Sequence, residues 1–299
     1  MFNFGSRKIT LVTHSNRFHA DDVLAAAVLL IYFKDKETKI VRTRDQKIID
    51  SGDVVFDVGF VYDETGNRFD HHQKQGAGKR ENGIPYSSFG LVWKKFGKDI
   101  CGSQEIADYL DKKIVQPIDA IDSGIEIHKQ IIDGVRPYIF TDIVDCFNPM
   151  WPEKEDFDSA FCRLAEFSKD LLTREIQKIK NKKEAEKILR EIYENSEDKR
   201  IIYINDNYPW EDILNRYSEP LFVIKSRKDG MCSVNTVRSN VFSFESRKLF
   251  PESWAGKNGK ELAEITGVED AIFCHNARFI CSAKSKDGAM RLARLALGE

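Results

Sequence analysis

The sequence predicts an α/β protein of two domains, the first built on a largely parallel sheet. Three observations carry this expectation. Short β-branched runs alternate with helical segments before residue 125, the pattern of strand–helix–strand units. A long charged helical stretch follows, and after Arg200 the texture returns to short strands. At 299 residues there is chain enough for two hydrophobic cores. We place the first domain at 1–150, a helical connection at 151–198 and a smaller α/β domain at 199–299.

Taken in order, Lys8 to Thr13 reads as a buried strand, and the polar segment His14 to Ala20 follows it. Asp21 and Asp22 open a helix over Val23 to Phe33, with carboxylates at the favourable end of its dipole. Lys39 to Thr43 and Asp53 to Asp57 are further short strands, and Gly59 and Glu64-Thr65-Gly66-Asn67 are turn signals. Helices are expected at Tyr86 to Phe96 and from Ser103 to about Asp122, the second bent near Pro117 and stopped by Gly124. Asp156 to Asn195 is a long helix in which Phe157, Phe161, Leu164, Leu171, Ile179, Leu189 and Ile192 recur at three- and four-residue spacings. Strands at Ile201–Ile204, Leu221–Lys225, Cys232–Arg238, Ala271–Cys274 and Arg278–Ala283, with helices at Lys260–Thr266 and from Ser285 to Leu297, complete the second domain.

A net charge of −2 argues against a general nucleic-acid coat, which is normally basic. It leaves a nuclease open, because bound divalent ions supply positive charge where a phosphate sits. The six cysteines, at 101, 146, 162, 232, 274 and 281, show no CxxC spacing and read as reduced thiols of a cytoplasmic protein. A zinc site at Cys274, His275 and Cys281 lacks the close-spaced pairs such sites use. The start, Met1 to Lys8, has no apolar run of signal-peptide length, and Val23 to Phe33 is too short to span a bilayer.

Four of the six histidines fall in two short segments, His14-Ser15-Asn16-Arg17-Phe18-His19-Ala20-Asp21-Asp22 and Asp70-His71-His72. Mixed imidazole and carboxylate donors suit ions such as Mn, Fe, Co or Zn, whereas carboxylates alone suit Mg or Ca. Both segments sit just past the carboxyl ends of expected strands, where open α/β sheets place ligands. A two-metal hydrolase needs about six protein ligands around ions ~3.5–4 Å apart, one often a bridging carboxylate. His14, His19, Asp21, Asp57, His71 and one of Asp119 or Asp122 make such a set. Asp119 and Asp122 are three residues apart and share a helix face, so spacing leaves both open. Crowding keeps Asp70, His71 and His72 from ligating together. One imidazole then binds metal, the other touches substrate, and Asp70 orients a ring from behind. No Walker or GxGxxG sequence is present, Ser15 and Ser88 lack a nucleophile-elbow context, and His128 reads as a surface residue.

A long series of motifs resembles the melanocyte-proliferating-gene (MYG-type) family, a branch of the DHH phosphoesterase superfamily. It runs through Thr13-His14-Ser15, Phe18-His19 and Asp21, then Asp57-Val58-Gly59 with Tyr62-Asp63, and Arg68-Phe69-Asp70-His71-His72-Gln73. Ser87-Ser88 with Gly90-Leu91, Ile118-Asp119-Ala120-Ile121-Asp122 with Gly124, and Asn148-Pro149 with Trp151 continue it. Phe244-Glu245-Ser246-Arg247-Lys248, Pro251, Trp254, Gly256 and Gly288-Ala289 extend it through the second domain. The resemblance implies a two-domain DHH-type fold and cleavage of a phosphoester or phosphoanhydride with two divalent ions, Mn the usual one. It also implies 3′-to-5′ exonuclease action on RNA. By the same carry-over Asp57 bridges, His71 is a ligand, His72 faces phosphate, and Asp119 or Asp122 completes the second ion.

The chain departs from the family near its end. Where the family has His-Ala-x-Gly-Phe-Ile-Gly-Gly, this chain reads His275-Asn276-Ala277-Arg278-Phe279-Ile280-Cys281-Ser282. Glycines let backbone N–H groups approach an anion, so the substrate cradle differs here. Arg247 is the expected replacement clamp, helped by His275 and Arg278, because a guanidinium grips phosphate bidentately. The alternatives to an RNA or oligonucleotide exonuclease are a hydrolase of a small nucleotide or pyrophosphate-like compound, and a non-catalytic, metal-stabilised RNA- or protein-binding module. No membrane partner is expected, and oligomeric state is open.

Overall fold

A computed structural model describes residues 7–227 and 229–298. The reading of residues 1–6 as free of a signal-like run therefore lies outside the described residues. The chain divides into two units, the first ending at Lys178 and the second beginning at Ile179.

In the first unit, β1 (Ile9–Thr13), α1 (Ala20–Tyr32), β2 (Thr38–Arg42) and β3 (Val54–Phe56) follow as expected, and a short unexpected helix, α2 (Gln46–Ser51), lies between β2 and β3. A short hairpin, β4 (Tyr62–Asp63) and β5 (Arg68–Phe69), fills the stretch read only as turns. The sheet order is β2-β1-β3-β5-β4, parallel except for β4 against β5. The exits of β1, β3 and β5 therefore lie at one edge of the sheet, followed at once by His14, Asp57 and Asp70. Residues far apart in sequence are thus brought to one place.

The helices α3 (Ser88–Cys101), α4 (Gln104–Leu110), α5 (Gln116–Asp122) and α6 (Phe140–Phe147) complete this unit before the long α7 (Phe157–Asn195). The expected bend near Pro117 is a π-helical turn over Asp111–Val115. Pro117 has no N–H to offer the carbonyl one turn back, which lets the ladder widen there. Helix α1 is apolar almost all round, with Ala20 through Leu29 buried, as a helix enclosed by a sheet and other helices must be. Phe18, Phe56, Phe69 and Phe89 are fully buried, each worth about 1.5–3 kcal/mol of transfer free energy. In α7 the buried residue of one pair is Leu172 and not the expected Leu171, which is 38% exposed.

The second unit carries β6 (Ile201–Ile204), α8 (Glu211–Leu214), β7 (Phe222–Ser226), β8 (Cys232–Thr236), α9 (Gly259–Thr266), β9 (Ala271–Cys274), β10 (Ile280–Ala283) and α10 (Lys286–Leu297). Its sheet runs β6-β7-β8-β10-β9, with β6 and β7 parallel and the remaining pairs antiparallel. Gly267, at φ +67°, closes α9 in the left-handed conformation that its position after the last apolar turn predicts. No helix of the described residues is long and apolar enough to cross a membrane.

Candidate metal centre

His14 is the first residue past β1, and its ring is fixed from behind. Nδ1 lies 3.0 Å from the Ser15 carbonyl. A carbonyl only accepts, so Nδ1 carries the proton and Nε2 faces inward, 3.1 Å from Asp22 Oδ2 and 3.3 Å from Asp57 Oδ2. The loop from Ser15 to His19 is held by two buried side chains. Asn148 accepts from the Phe18 N–H at 3.1 Å and donates to the Phe18 carbonyl at 3.0 Å. Arg42 donates to the Asn16 carbonyl at 2.6 Å, with its guanidinium over the rings of Phe18 and Phe161. His19 and Asp21 are thereby presented at the start of α1, where Asp22 Oδ1 accepts from the His19 N–H at 2.9 Å.

Asp57 ends β3 with φ +55°, a left-handed conformation that Asp tolerates better than most side chains. The reversal turns its carboxylate into the cluster, where the side chain is 1% exposed. His71 Nε2 stands 3.2 Å from Asp57 Oδ1 and 3.7 Å from Asp21 Oδ2, and His71 Nδ1 is 3.6 Å from Asp122 Oδ2. His72 projects beside it, its Nδ1 2.7 Å from Asp70 Oδ1. Asp70 also accepts from the N–H groups of His72 and Phe60, so it orients His72 as a buried anchor that engages Nδ1 and not Nε2.

Four overlapping triads have ligand atoms within 4.8 Å of one another: His14/His19/Asp57, Asp57/His71/His72, Asp21/His71/Asp122 and Asp21/Asp22/Asp57. Asp57 belongs to three of them. Among the described residues, these groups able to hold an ion all lie in the first unit. Among the described residues, buried Asp21 Oδ1 has no hydrogen-bond partner, and His14 Nε2 and Asp22 Oδ2 approach each other at 3.1 Å without the geometry of a hydrogen bond. Such orphaned atoms, mostly acceptors facing one another, are satisfied by cations. The mixed imidazole and carboxylate donors fit a divalent transition-metal ion.

The electrostatics agree. Burial, and then the charges of Asp57 and Asp122, push the Asp21 carboxyl well above the usual carboxylate range. Burial raises Asp22 and Asp122 also. Burial would lower His14, but Asp22 and Asp57 outweigh it and bring the ring up to about 10. Asp57 is held well below its ordinary value, against burial, by His14 and His71. Several buried carboxylates competing for few protons make a site in which a divalent ion replaces protons.

The structure separates the two carboxylates that spacing left open. Asp122 faces His71, with its side chain one-fifth exposed. Asp119 turns away, accepting from Arg80 Nη1 at 2.6 Å, Ser87 Oγ at 2.5 Å and the Gly90 N–H at 3.1 Å. A Cβ on Gly90 would stand 2.0 Å from Asp119 Oδ2, so only glycine lets the carboxylate lean on α3. Three residues outside the ligand set expected from the sequence join or border the centre. Asp22 joins the cluster one residue after Asp21, Ser88 Oγ donates to Asp57 Oδ1 at 2.9 Å, and Arg44 lines the cavity beside His14, His19, Asp57 and His72.

Arg247, His275 and Arg278 lie in the second unit. Arg247, the expected phosphate clamp, is occupied within the protein instead. Its guanidinium donates to the carbonyls of Asn215, Tyr217, Ser218 and Pro220 at 2.6–3.2 Å. A guanidinium so occupied holds a loop together. His275 Nδ1 accepts from the Ala277 N–H at 3.0 Å. Arg278 adopts φ +59° where the family motif has glycine, and donates to the Phe250 carbonyl.

Residues 10–297 match the family MYG1_exonuc, described as an uncharacterised protein family (UPF0160). The chain is 30% identical to the MYG1 protein of Dictyostelium discoideum, over 95% of each chain. It is 30% identical to a MYG1 protein of Chlamydia pneumoniae, again over 95% of each. It is 27% identical to the human protein named MYG1 exonuclease, over 96% of this chain and 85% of that one.

Proposed function

The chain belongs to the MYG1 family, and from that premise we propose that it is a metal-dependent 3′-to-5′ exonuclease acting on RNA or short oligonucleotides. The observation that carries the reading is the convergence of His14, His19, Asp21, Asp22, His71 and His72 on the buried carboxylate of Asp57, with Asp122 joining through Asp21 and His71. The name exonuclease on the mammalian relatives supports a nucleic-acid substrate. The scattered cysteines favour a reducing, cytoplasmic setting.

His14, His19, Asp21, Asp57, His71 and Asp122 would hold two divalent ions, Mn2+ foremost, in a DHH-type arrangement, with Asp57 between them. Bound there, the ions would lower the pKa of an attacking water and offset charge on the phosphoryl oxygens. The chain's own groups do the rest. Ser88 fixes one oxygen of Asp57 and keeps its carboxylate plane aimed at the cluster. Asp70 raises the pKa of His72 through its hydrogen bond to Nδ1 and sets the ring's tilt. His72, when protonated, would present Nε2–H to the leaving oxygen and give up that proton there, while the proton of the attacking water passes to solvent, from which the ring is reprotonated.

The test is metal analysis joined to a screen of labelled RNA, DNA and dinucleotides with Mn2+. Stepwise shortening of RNA from its 3′ end is expected. Cleavage of dinucleotides alone favours a small-nucleotide hydrolase, and metal uptake with no hydrolysis would overturn the enzyme reading.

A further inference from the structure

The cavity over the metal-prone cluster is lined by His14, His19, Arg44, Asp57, Val58, Gly59, Phe60, Asp70 and His72 and has a volume of about 110 Å³. Of the lining residues without a role in the reading above, Arg44 and Phe60 alone carry a charged or aromatic side chain. Ligand sites that enclose a whole small molecule run to ~300–1,000 Å³. A cavity of this size takes a phosphate group, and the nucleoside attached to it must lie outside, at the rim.

Phe60 stands at that rim in an unusual state. Its backbone has φ +57°, where a bulky aromatic is an outlier. The residue is 70% exposed, and its ring meets the His72 ring edge-on with centroids 6.4 Å apart. The strain brings no burial in return. The backbone is pinned by the Phe60 N–H donating to Asp70 Oδ2, a bond any residue at this position makes. A strained, exposed aromatic beside a catalytic cluster is a surface built to be covered by a flat ligand.

Arg44 is the only Lys or Arg among the described lining residues. It follows Thr43, whose N–H donates to the Thr13 carbonyl at 2.8 Å and so ties the exit of β2 to that of β1 beside His14. Its guanidinium makes no ion pair or hydrogen bond among the described residues, whereas Arg42 and Arg80 are both committed to carboxylates. An uncommitted guanidinium at a phosphate-sized cavity offers a forked contact to an anionic oxygen.

We infer that Phe60 and Arg44 form the seat for the terminal nucleotide of a single strand, the base stacked on the Phe60 ring and the phosphate gripped by Arg44. The inference rests on the nuclease reading for its substrate class. It adds that recognition of the strand end belongs to the first unit. Stacking on one aromatic accepts any base, so the seat discriminates little among sequences and selects unpaired ends over duplex.

The experiment uses the full chain, with Phe60→Gly and Arg44→Ala, and reads both binding and turnover. Fluorescence anisotropy of a fluorescein-labelled single-stranded RNA in Ca2+ gives Kd, elemental analysis gives metal content, and Mn2+ assays give kcat and KM. Glycine suits φ > 0, so Phe60→Gly removes the ring without adding strain. Each variant is expected to raise Kd and KM about tenfold with metal content retained. For Phe60→Gly the loss is expected to be several times smaller when the terminal residue is abasic. A wild-type chain that cleaves RNA while both variants keep its Kd and KM overturns the seat alone. Binding without cleavage, lost in the variants, supports the seat and removes the nuclease reading. A wild-type chain that binds no single strand removes both.

Discussion

Ser88 Oγ donates a 2.9 Å hydrogen bond to Asp57 Oδ1, joining the first turn of α3 to the carboxylate at the exit of β3. Both side chains are buried, so the bond fixes the face that Asp57 turns to the cluster. Behind-the-ligand partners of this kind are worth about 10–100-fold in metal affinity. We expect Ser88→Ala to weaken Mn2+ binding by about that range with the fold retained, read by calorimetric titration and circular dichroism. Unchanged affinity would make Ser88 a helix-start residue only.

Asp57→Asn is nearly isosteric, still accepts from Ser88, and suits the left-handed backbone. It removes the charge that would lie between two ions. A fall in kcat on the order of 10²–10³ or more at saturating Mn2+ is expected, with the melting curve little changed. Near-normal turnover would make Asp57 structural.

Asp119 and Asp122 should part company under mutation. Asp122→Asn is expected to lower metal affinity and leave thermal stability near that of the wild type. Breaking the buried pair with Arg80→Ala strands Asp119 and should cost about 3–5 kcal/mol in urea unfolding. The reverse pattern, with metal affinity lost on disturbing Asp119 and untouched at Asp122, would exchange their roles.

Metal binding should depend on pH with a definite sign. A metal takes the Nε2 lone pair of His14, so the proton there must leave. Burial lowers that ring and Asp22 and Asp57 more than restore it, to about 10, so the metal-free chain is protonated at neutral pH. Asp21 is raised as well, by burial first. Apparent Mn2+ affinity is therefore expected to climb between about pH 6 and 8, about tenfold per unit for each proton displaced. Calorimetry in buffers of different ionisation enthalpy counts those protons. Without metal, the His14 contribution to stability is complete below its unfolded value and is lost as pH rises through about 10.

Arg247→Ala tests whether this side chain holds its loop. With four carbonyls losing a charged donor, a loss of about 1.5–3 kcal/mol in the stability of the second unit is expected, with metal content unchanged. A strong rise in KM without loss of stability would return Arg247 to phosphate recognition.

Most strands and helices and the segments bearing His14, Asp57 and the Asp70-His71-His72 triplet were legible in the sequence because their signals are local, whereas the β4–β5 hairpin and the short helices α2, α6 and α8 were not. Period-2 and period-3.6 apolar patterns, a carboxylate-led helix start and a terminal glycine each depend on a few neighbouring residues. The chemistry of the cluster was legible for the same reason, since donor type is written in the residue itself. What tertiary structure alone decided is which donors meet. Asp119 and Asp122 share a helix face, and only the packing of Arg80, Ser87 and Gly90 draws one away while His71 meets the other. Asp22 and Ser88 join the centre, and Arg247 is taken up by carbonyls distant in the chain. Neighbours along the chain set the backbone's path, but a side chain's partner is chosen by burial, where each unpaired polar atom is costly and the nearest complement across the fold claims it.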